Sequence, residues 1–180
     1  MRDKLSIKAR KEGYKSRSAY KLLEINKKYK IIKKDDSVLD LGCWPGSWLQ
    51  VVYKITPHVT GVDLRETKLN NIKTYKLDIF SDKIFYLGKF DVILSDVAPQ
   101  TSGNRELDQY RGYELSSRAF DIACKVLKKR GSFLVKVFQS GDAELLLKKM
   151  KEKFTIAKTV KPSASKKKSK EIYYIGLGFK

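Results

Sequence analysis

Four aspartates, Asp40, Asp63, Asp78 and Asp96, each follow a short apolar run, and one lysine, Lys136, interrupts another. Carboxylates at the ends of parallel strands are placed to accept hydrogen bonds from a ligand's hydroxyl and amine groups. The first lies in Val38-Leu39-Asp40-Leu41-Gly42-Cys43-Trp44-Pro45-Gly46-Ser47-Trp48, where an apolar run ends in an acid and a glycine turn and then restarts as a helix. That is the outline of a nucleotide-type cofactor site. Gly42 permits a turn that a side chain would obstruct, Gly46 permits close approach to the backbone, and Pro45 suits the first turn of a helix. The two glycines are four apart, so this is not the G-x-G-x-x-G fingerprint of dinucleotide sites, and a nicotinamide cofactor is disfavoured. Asp63 follows Asp40 by 23 residues, the position from which an acid commonly holds a ribose. Any one such acid equally suits a helix cap; four at the same structural point favour binding.

Lys136 lies in the run Phe133-Leu134-Val135-Lys136-Val137-Phe138. An unpaired ammonium buried there would be costly, so it must reach the open end of the strand or a carboxylate partner. A structural salt bridge satisfies that requirement, and so does a catalytic one.

The elements that position these residues are predicted from periodicity. Short apolar runs at residues 37–41, 59–62, 75–77, 90–95 and 132–138 read as strands. Helices are expected from Ser18, as N-cap, to Tyr29, from residue 47 with Trp48, Val51, Val52 and Ile55 on its buried side, over residues 114–127, and over 142–151. Residues 99–109 read as a polar loop after Asp96, and residues 128–131 as a helix breaker. Residues 155–160 and 172–179 read as a final antiparallel pair joined by a basic loop over 161–170. Alternating strands and helices argue for an α/β class, a mostly parallel doubly wound sheet with a C-terminal antiparallel strand pair.

At 180 residues, the chain is expected to form one domain over 1–180, with a basic segment over 1–34 and a core over 35–180. It has no run long enough to span a membrane and no apolar signal core at its start. Two cysteines and one histidine do not supply a zinc cage or a disulfide framework. A cytoplasmic setting, no membrane partner and metal-free chemistry are therefore expected. The net charge of +19 is unevenly spread: residues 1–34 carry +10, residues 148–180 carry +9, and the intervening part is neutral. Lysine and arginine concentrated in this way are the electrostatic footprint of a phosphate-backbone partner.

With these residues in view, the sequence resembles the FtsJ/RrmJ family of S-adenosylmethionine-dependent RNA ribose 2′-O-methyltransferases. The resemblance rests on Gly13-Tyr14-Lys15-Ser16-Arg17-Ser18-Ala19-Tyr20-Lys21-Leu22-Leu23-Glu24-Ile25, on Leu39-Asp40-Leu41-Gly42 with Pro45-Gly46-Ser47-Trp48, on Leu94-Ser95-Asp96-Val97-Ala98-Pro99, on Phe133 to Gln139, and on Lys161-Pro162 with Glu171-Ile172-Tyr173. It implies a Rossmann-like methyltransferase fold and S-adenosylmethionine as cofactor. It also implies a Lys-Asp-Lys-Glu tetrad at Lys21, Asp96, Lys136 and Glu171, with Lys136 as general base toward a ribose hydroxyl. Partial burial and a neighbouring cation favour the neutral form such a base needs, while the two carboxylates favour the charged form. The resemblance places Asp40, Gly42, Pro45, Gly46 and Trp48 around the cofactor, Asp63 at its ribose, Asp78 near its adenine and Asp96 near its reacting end.

Three departures stand out. Cys43-Trp44 replaces small residues usual in the family, Gln100 stands where asparagine is usual, and residues 64–71 lack the family's proline-containing pattern. The archaeal and bacterial members that look most similar imply a uridine in large-subunit ribosomal RNA as substrate. Two alternatives stay open: a transfer RNA anticodon-loop methyltransferase, and a non-catalytic RNA-binding assembly factor.

Overall fold

The computed structural model describes residues 4–99, 102–165 and 169–180. Strand β1 (Val38–Leu41), buried along its whole length with Asp40 included, lies inside the sheet, flanked on both sides by parallel strands. It pairs in parallel with β2 (Val59–Asp63) and with β4 (Phe90–Ser95). Strand β3 (Lys73–Lys76) extends the sheet beyond β2, and β5 (Leu127–Phe138) extends it in parallel beyond β4. The last strand, β7 (Glu171–Phe179), inserts antiparallel between β5 and the edge strand β6 (Phe154–Val160). The order is β3-β2-β1-β4-β5-β7-β6, the doubly wound sheet with an antiparallel C-terminal pair that the sequence predicts.

Among the described residues there are five α-helices, α1 (Lys4–Lys11), α2 (Ala19–Tyr29), α3 (Ser47–Tyr53), α4 (Arg105–Val126) and α5 (Gly141–Lys153), with a short 3-10 turn at Asp82–Leu87; α2 and α3 cover one sheet face and α4 and α5 the other. The two-residue side-chain period of a strand sorts the core. Leu39, Ile93, Phe133, Val135 and Val137 face the layer that includes Phe120, Ile122 and Leu146 of α4 and α5. Val38, Leu94, Leu134, Tyr173 and Ile175 face Leu22, Ile25, Trp48 and Val52 of α2 and α3. Lys136 shares the parity of Leu134. It therefore points toward α2, the helix that carries Lys21.

Several expectations change. Helix α4 begins at Arg105 rather than at residue 114, because its first turns are largely exposed and show no apolar period; Asn104 caps it by accepting from the Glu106 and Leu107 N–H groups. The polar loop after Asp96 is correspondingly shorter. Residues 128–131 do not break the chain but belong to β5, where Arg130 adopts φ +64° and the pairing shifts register between Phe90 and Val92. Strand β3 ends at Lys76, so Asp78 lies two residues beyond a strand end. Pro45 precedes the N-cap Gly46 and so lies outside the first helical turn. The basic segment before α2 contains α1, a helix the periodicity does not predict. Among the described residues no helix is long and apolar enough to cross a membrane.

Candidate active site

The turn after β1 is built on two glycines. Gly42 has φ +75°, and a Cβ there would fall 2.4 Å from Val97 Cγ2, so the turn packs directly on the segment that follows Asp96. Gly46 has φ +107°, and a Cβ would fall 2.6 Å from Leu69 Cδ1. The close approach expected at Gly46 is thus to a residue of the chain itself.

Asp63 is fixed at the end of β2 by two backbone donors. Trp44 N–H donates to Oδ2 at 3.0 Å and Arg65 N–H to Oδ1 at 2.8 Å. The two donor residues also meet each other, with the Arg65 guanidinium 4.4 Å from the Trp44 ring centroid. The bulky departure at position 44 turns outward, 48% exposed, to form this stack. Asp78 closes a local turn by accepting from Phe80 N–H at 2.9 Å.

The two lysines and two further acids form one cluster. Lys21 is ion-paired with Glu171 across 150 residues of sequence. Lys136 Nζ lies 3.2 Å from Asp96 Oδ1 and donates to the Asp96 carbonyl oxygen at 2.6 Å. Tyr173 joins the pairs: its hydroxyl donates to Asp96 Oδ1 at 2.7 Å, lies 3.5 Å from Glu171 Oε1, and its ring sits under Lys21. Asp96 Oδ2 accepts from Ser18 Oγ at 2.6 Å. Burial pushes the Asp96 carboxyl up, but Lys136, Lys21 and the Ser18 and Tyr173 hydroxyls outweigh it and hold it below the usual carboxylate range. Burial, with Asp96 and Glu171 adding to it, pushes the Tyr173 phenol well above its ordinary value, so it stays a donor.

Two cavities meet at Asp96. A cleft of about 480 Å³ runs over Asp63, Asp78, Phe80, Val97 and Leu115, and a smaller pocket of about 130 Å³ continues over Asp40, Pro45, Ser47 and Trp48. Gly42, Trp44 and Asp96 line both. A groove of about 560 Å³ between α5 and the β6-β7 pair lies on the other sheet face, away from the lysine pairs. At the floor of the small pocket, both Asp40 carboxylate oxygens are buried and lack any partner among the described residues. Burial drives this carboxyl well above its ordinary value, and Asp96 and Asp63 add to the shift. A buried acid without donors calls for a donor from a ligand. An elongated ligand carrying an amine at one end and ribose hydroxyls and an adenine ring at the other fits this donor and acceptor set.

The start of α2 and residues 163–165 flank the lysine pairs. Glu24 accepts from Ser163 N–H and Ser163 Oγ at 2.9 and 2.7 Å, and Arg17 donates to the Ala164 carbonyl at 2.8 Å. Burial pushes Glu24 up, yet the Ser163 and Ala164 hydrogen bonds and Lys28 hold it below its usual range. These contacts tie the base of the basic loop to the helix carrying Lys21. Gln100 and residues 166–168 of that loop lie outside the described residues.

The residues predicted as a tetrad are therefore together, and Asp40, Gly42, Trp44, Pro45, Trp48, Asp63, Asp78 and Asp96 line adjoining cavities. Sequence reasoning missed Ser18 as a partner of Asp96, Tyr173 as the bridge, and the Trp44-Arg65 stack. Tyr173 was legible in one respect, since it shares strand parity with Glu171. A model of FtsJ-like methyltransferases matches residues 14–179.

The chain belongs to the FtsJ-like methyltransferase family.

The ribosomal RNA large subunit methyltransferase E of Methanococcoides burtonii is 45% identical to this FtsJ-like methyltransferase over 184 residues, 97% of this chain and 69% of the relative. The protein of the same name from Borreliella afzelii is 42% identical, with 99% of each chain covered. A crystal structure described as a ribosomal RNA methyltransferase from Plasmodium falciparum superposes with a TM-score of 0.82 at 29% identity, over 92% of this chain and 98% of that one. The fold of this FtsJ-like methyltransferase is therefore that of an enzyme that transfers methyl groups.

Proposed function

We propose that the enzyme transfers a methyl group from S-adenosylmethionine to a ribose 2′-hydroxyl of RNA, on a uridine of large-subunit ribosomal RNA. One observation carries the reading: the Lys21-Glu171 and Lys136-Asp96 pairs converge through Tyr173 where the two cavities meet. The names of the relatives support the RNA class. Bound in the cleft, S-adenosylmethionine supplies an electrophilic sulfonium methyl. Asp63 holds its ribose hydroxyls, the Asp78 and Phe80 end of the cleft takes the adenine, and the partnerless Asp40 receives the amine.

The remaining chemistry belongs to side chains of this protein. A ribose hydroxyl is a weak nucleophile, and its proton must leave as its oxygen attacks in line. Lys136 Nζ takes that proton, and the ammonium so formed is paired with the Asp96 carboxylate. Lys21, ion-paired with Glu171, keeps a positive charge beside the attacking oxygen. The rigid anchoring of Asp96 between β4 and α2 keeps the acceptor in place without reorganisation. The lysines of α1, with Lys161 and Lys170 near the two ends of the 161–170 loop, supply phosphate contacts.

The test is transfer of labelled methyl from S-adenosylmethionine to large ribosomal subunits, small subunits and total transfer RNA in parallel. Label confined to the large subunit, on a 2′-oxygen, is the expected result. Label on transfer RNA moves the substrate to the anticodon-loop alternative. Binding of cofactor without label on any RNA favours a non-catalytic factor.

A further inference from the structure

Ser18 occupies the cap position of α2 and does not act as a cap. A capping serine normally has extended backbone and accepts an N–H with its side chain. Here Ser18 has φ −57° and ψ −26°, already helical, and makes no side-chain cap. Its hydroxyl instead donates to Asp96 Oδ2 at 2.6 Å, 78 residues away. The residue is itself held on both sides: its N–H donates to Ser16 Oγ at 3.2 Å, and its carbonyl accepts from the indole N–H of the buried Trp48 at 3.0 Å.

The two oxygens of Asp96 are used differently. Oδ1 serves Tyr173 and Lys136, whereas Oδ2 receives, among the described residues, the Ser18 hydroxyl. A carboxylate held at one oxygen alone can turn about its last side-chain torsion, which is broad and soft. A second anchor on the opposite oxygen fixes the plane. We infer that Ser18 is a positioning residue of the methyl-transfer site, whose hydroxyl locks the Asp96 carboxylate so that Oδ1 stays on Lys136. This inference rests on the function proposed above.

A hydroxyl used in this way shifts turnover without shifting binding. Ser18→Ala is expected to lower kcat about tenfold while leaving KM for RNA and the Kd for S-adenosylhomocysteine within twofold of wild type. Ser18→Thr, which restores a hydroxyl, is expected to recover most of the loss. In an Asp96→Asn background, adding Ser18→Ala is expected to cost less than twofold, because the two side chains act as a unit. Unchanged kcat in Ser18→Ala, an equal loss in Ser18→Thr, or full additivity with Asp96→Asn each overturns the role. Weakened S-adenosylhomocysteine binding by Ser18→Ala also overturns it, since it makes Ser18 a cofactor contact. Absence of transfer by the wild-type protein with every RNA rejects the underlying function instead, and the two failures are thereby distinguished.

Discussion

Lys136 is bound to Asp96 twice, through its carbonyl oxygen at 2.6 Å and through its carboxylate at 3.2 Å. The lysine is only 7% exposed, so the two contacts replace water for a cation set in an apolar strand. They also aim it at the end of β4, where both cavities open. A purely structural ion pair needs the carboxylate alone; the added carbonyl contact confines Nζ to one position beside Asp96, which lines both cavities.

Asp40 is maintained at a cost to stability. Its carboxyl is raised well above the ordinary 3.8 by burial first, then by Asp96 and Asp63, so the folded state binds this proton more tightly than the unfolded chain. The contribution favours folding fully below pH 3.8 and is lost as pH rises through the elevated folded value. Asp40→Asn is therefore expected to raise Tm of the cofactor-free protein at neutral pH, by roughly 2–4 °C for each kcal/mol recovered. The same variant is expected to bind S-adenosylhomocysteine more weakly. Calorimetric melts at pH 7 and titrations of both proteins measure the two effects, and a lower Tm with unchanged affinity would contradict the assignment.

The Trp44-Arg65 stack shapes the Asp63 end of the cleft. Exposed cation-aromatic contacts contribute about 0.5–1 kcal/mol, so Trp44→Ala and Arg65→Ala are each expected to weaken S-adenosylhomocysteine binding roughly two- to fivefold. The double variant should be no weaker than the weaker single. Isothermal titration of the three proteins reads this, and independent, multiplying losses would show that the two side chains act separately.

RNA affinity is expected to be dominated by phosphate contacts from the basic ends. Six contacts to a single strand give a log-log salt slope of about −4. Filter binding of a large-subunit ribosomal RNA fragment between 50 and 300 mM salt checks it, and a flat dependence removes the phosphate-backbone reading.

Much of this arrangement is legible in the amino-acid sequence. The apolar runs that become β1, β4 and β5 carry their own burial signal, and the out-of-place Lys136 announces a partner. Parity along β5 then predicts the face on which that partner lies. The rest depends on tertiary contacts that leave little local trace. The exposed first turns of α4 lack an apolar period, so residues 105–113 read as loop. The glycine at 131 reads as a breaker because a bulge inside a strand and a turn after a helix use the same residue types. Ser18 reads as a cap because the hydroxyl's competing partner, Asp96, is 78 residues away.

Lys136 is assigned the removal of the proton from the attacking hydroxyl, and the rest of the mechanism depends on that step. Single-turnover methyl transfer to large ribosomal subunits by Lys136→Ala, set beside its Kd for S-adenosylhomocysteine, tests it most directly. The expected result is a loss of about 10²–10⁴-fold in rate, the range of general-base contributions, with cofactor affinity within threefold of wild type. Transfer at the wild-type rate by a folded, cofactor-binding Lys136→Ala protein would contradict it.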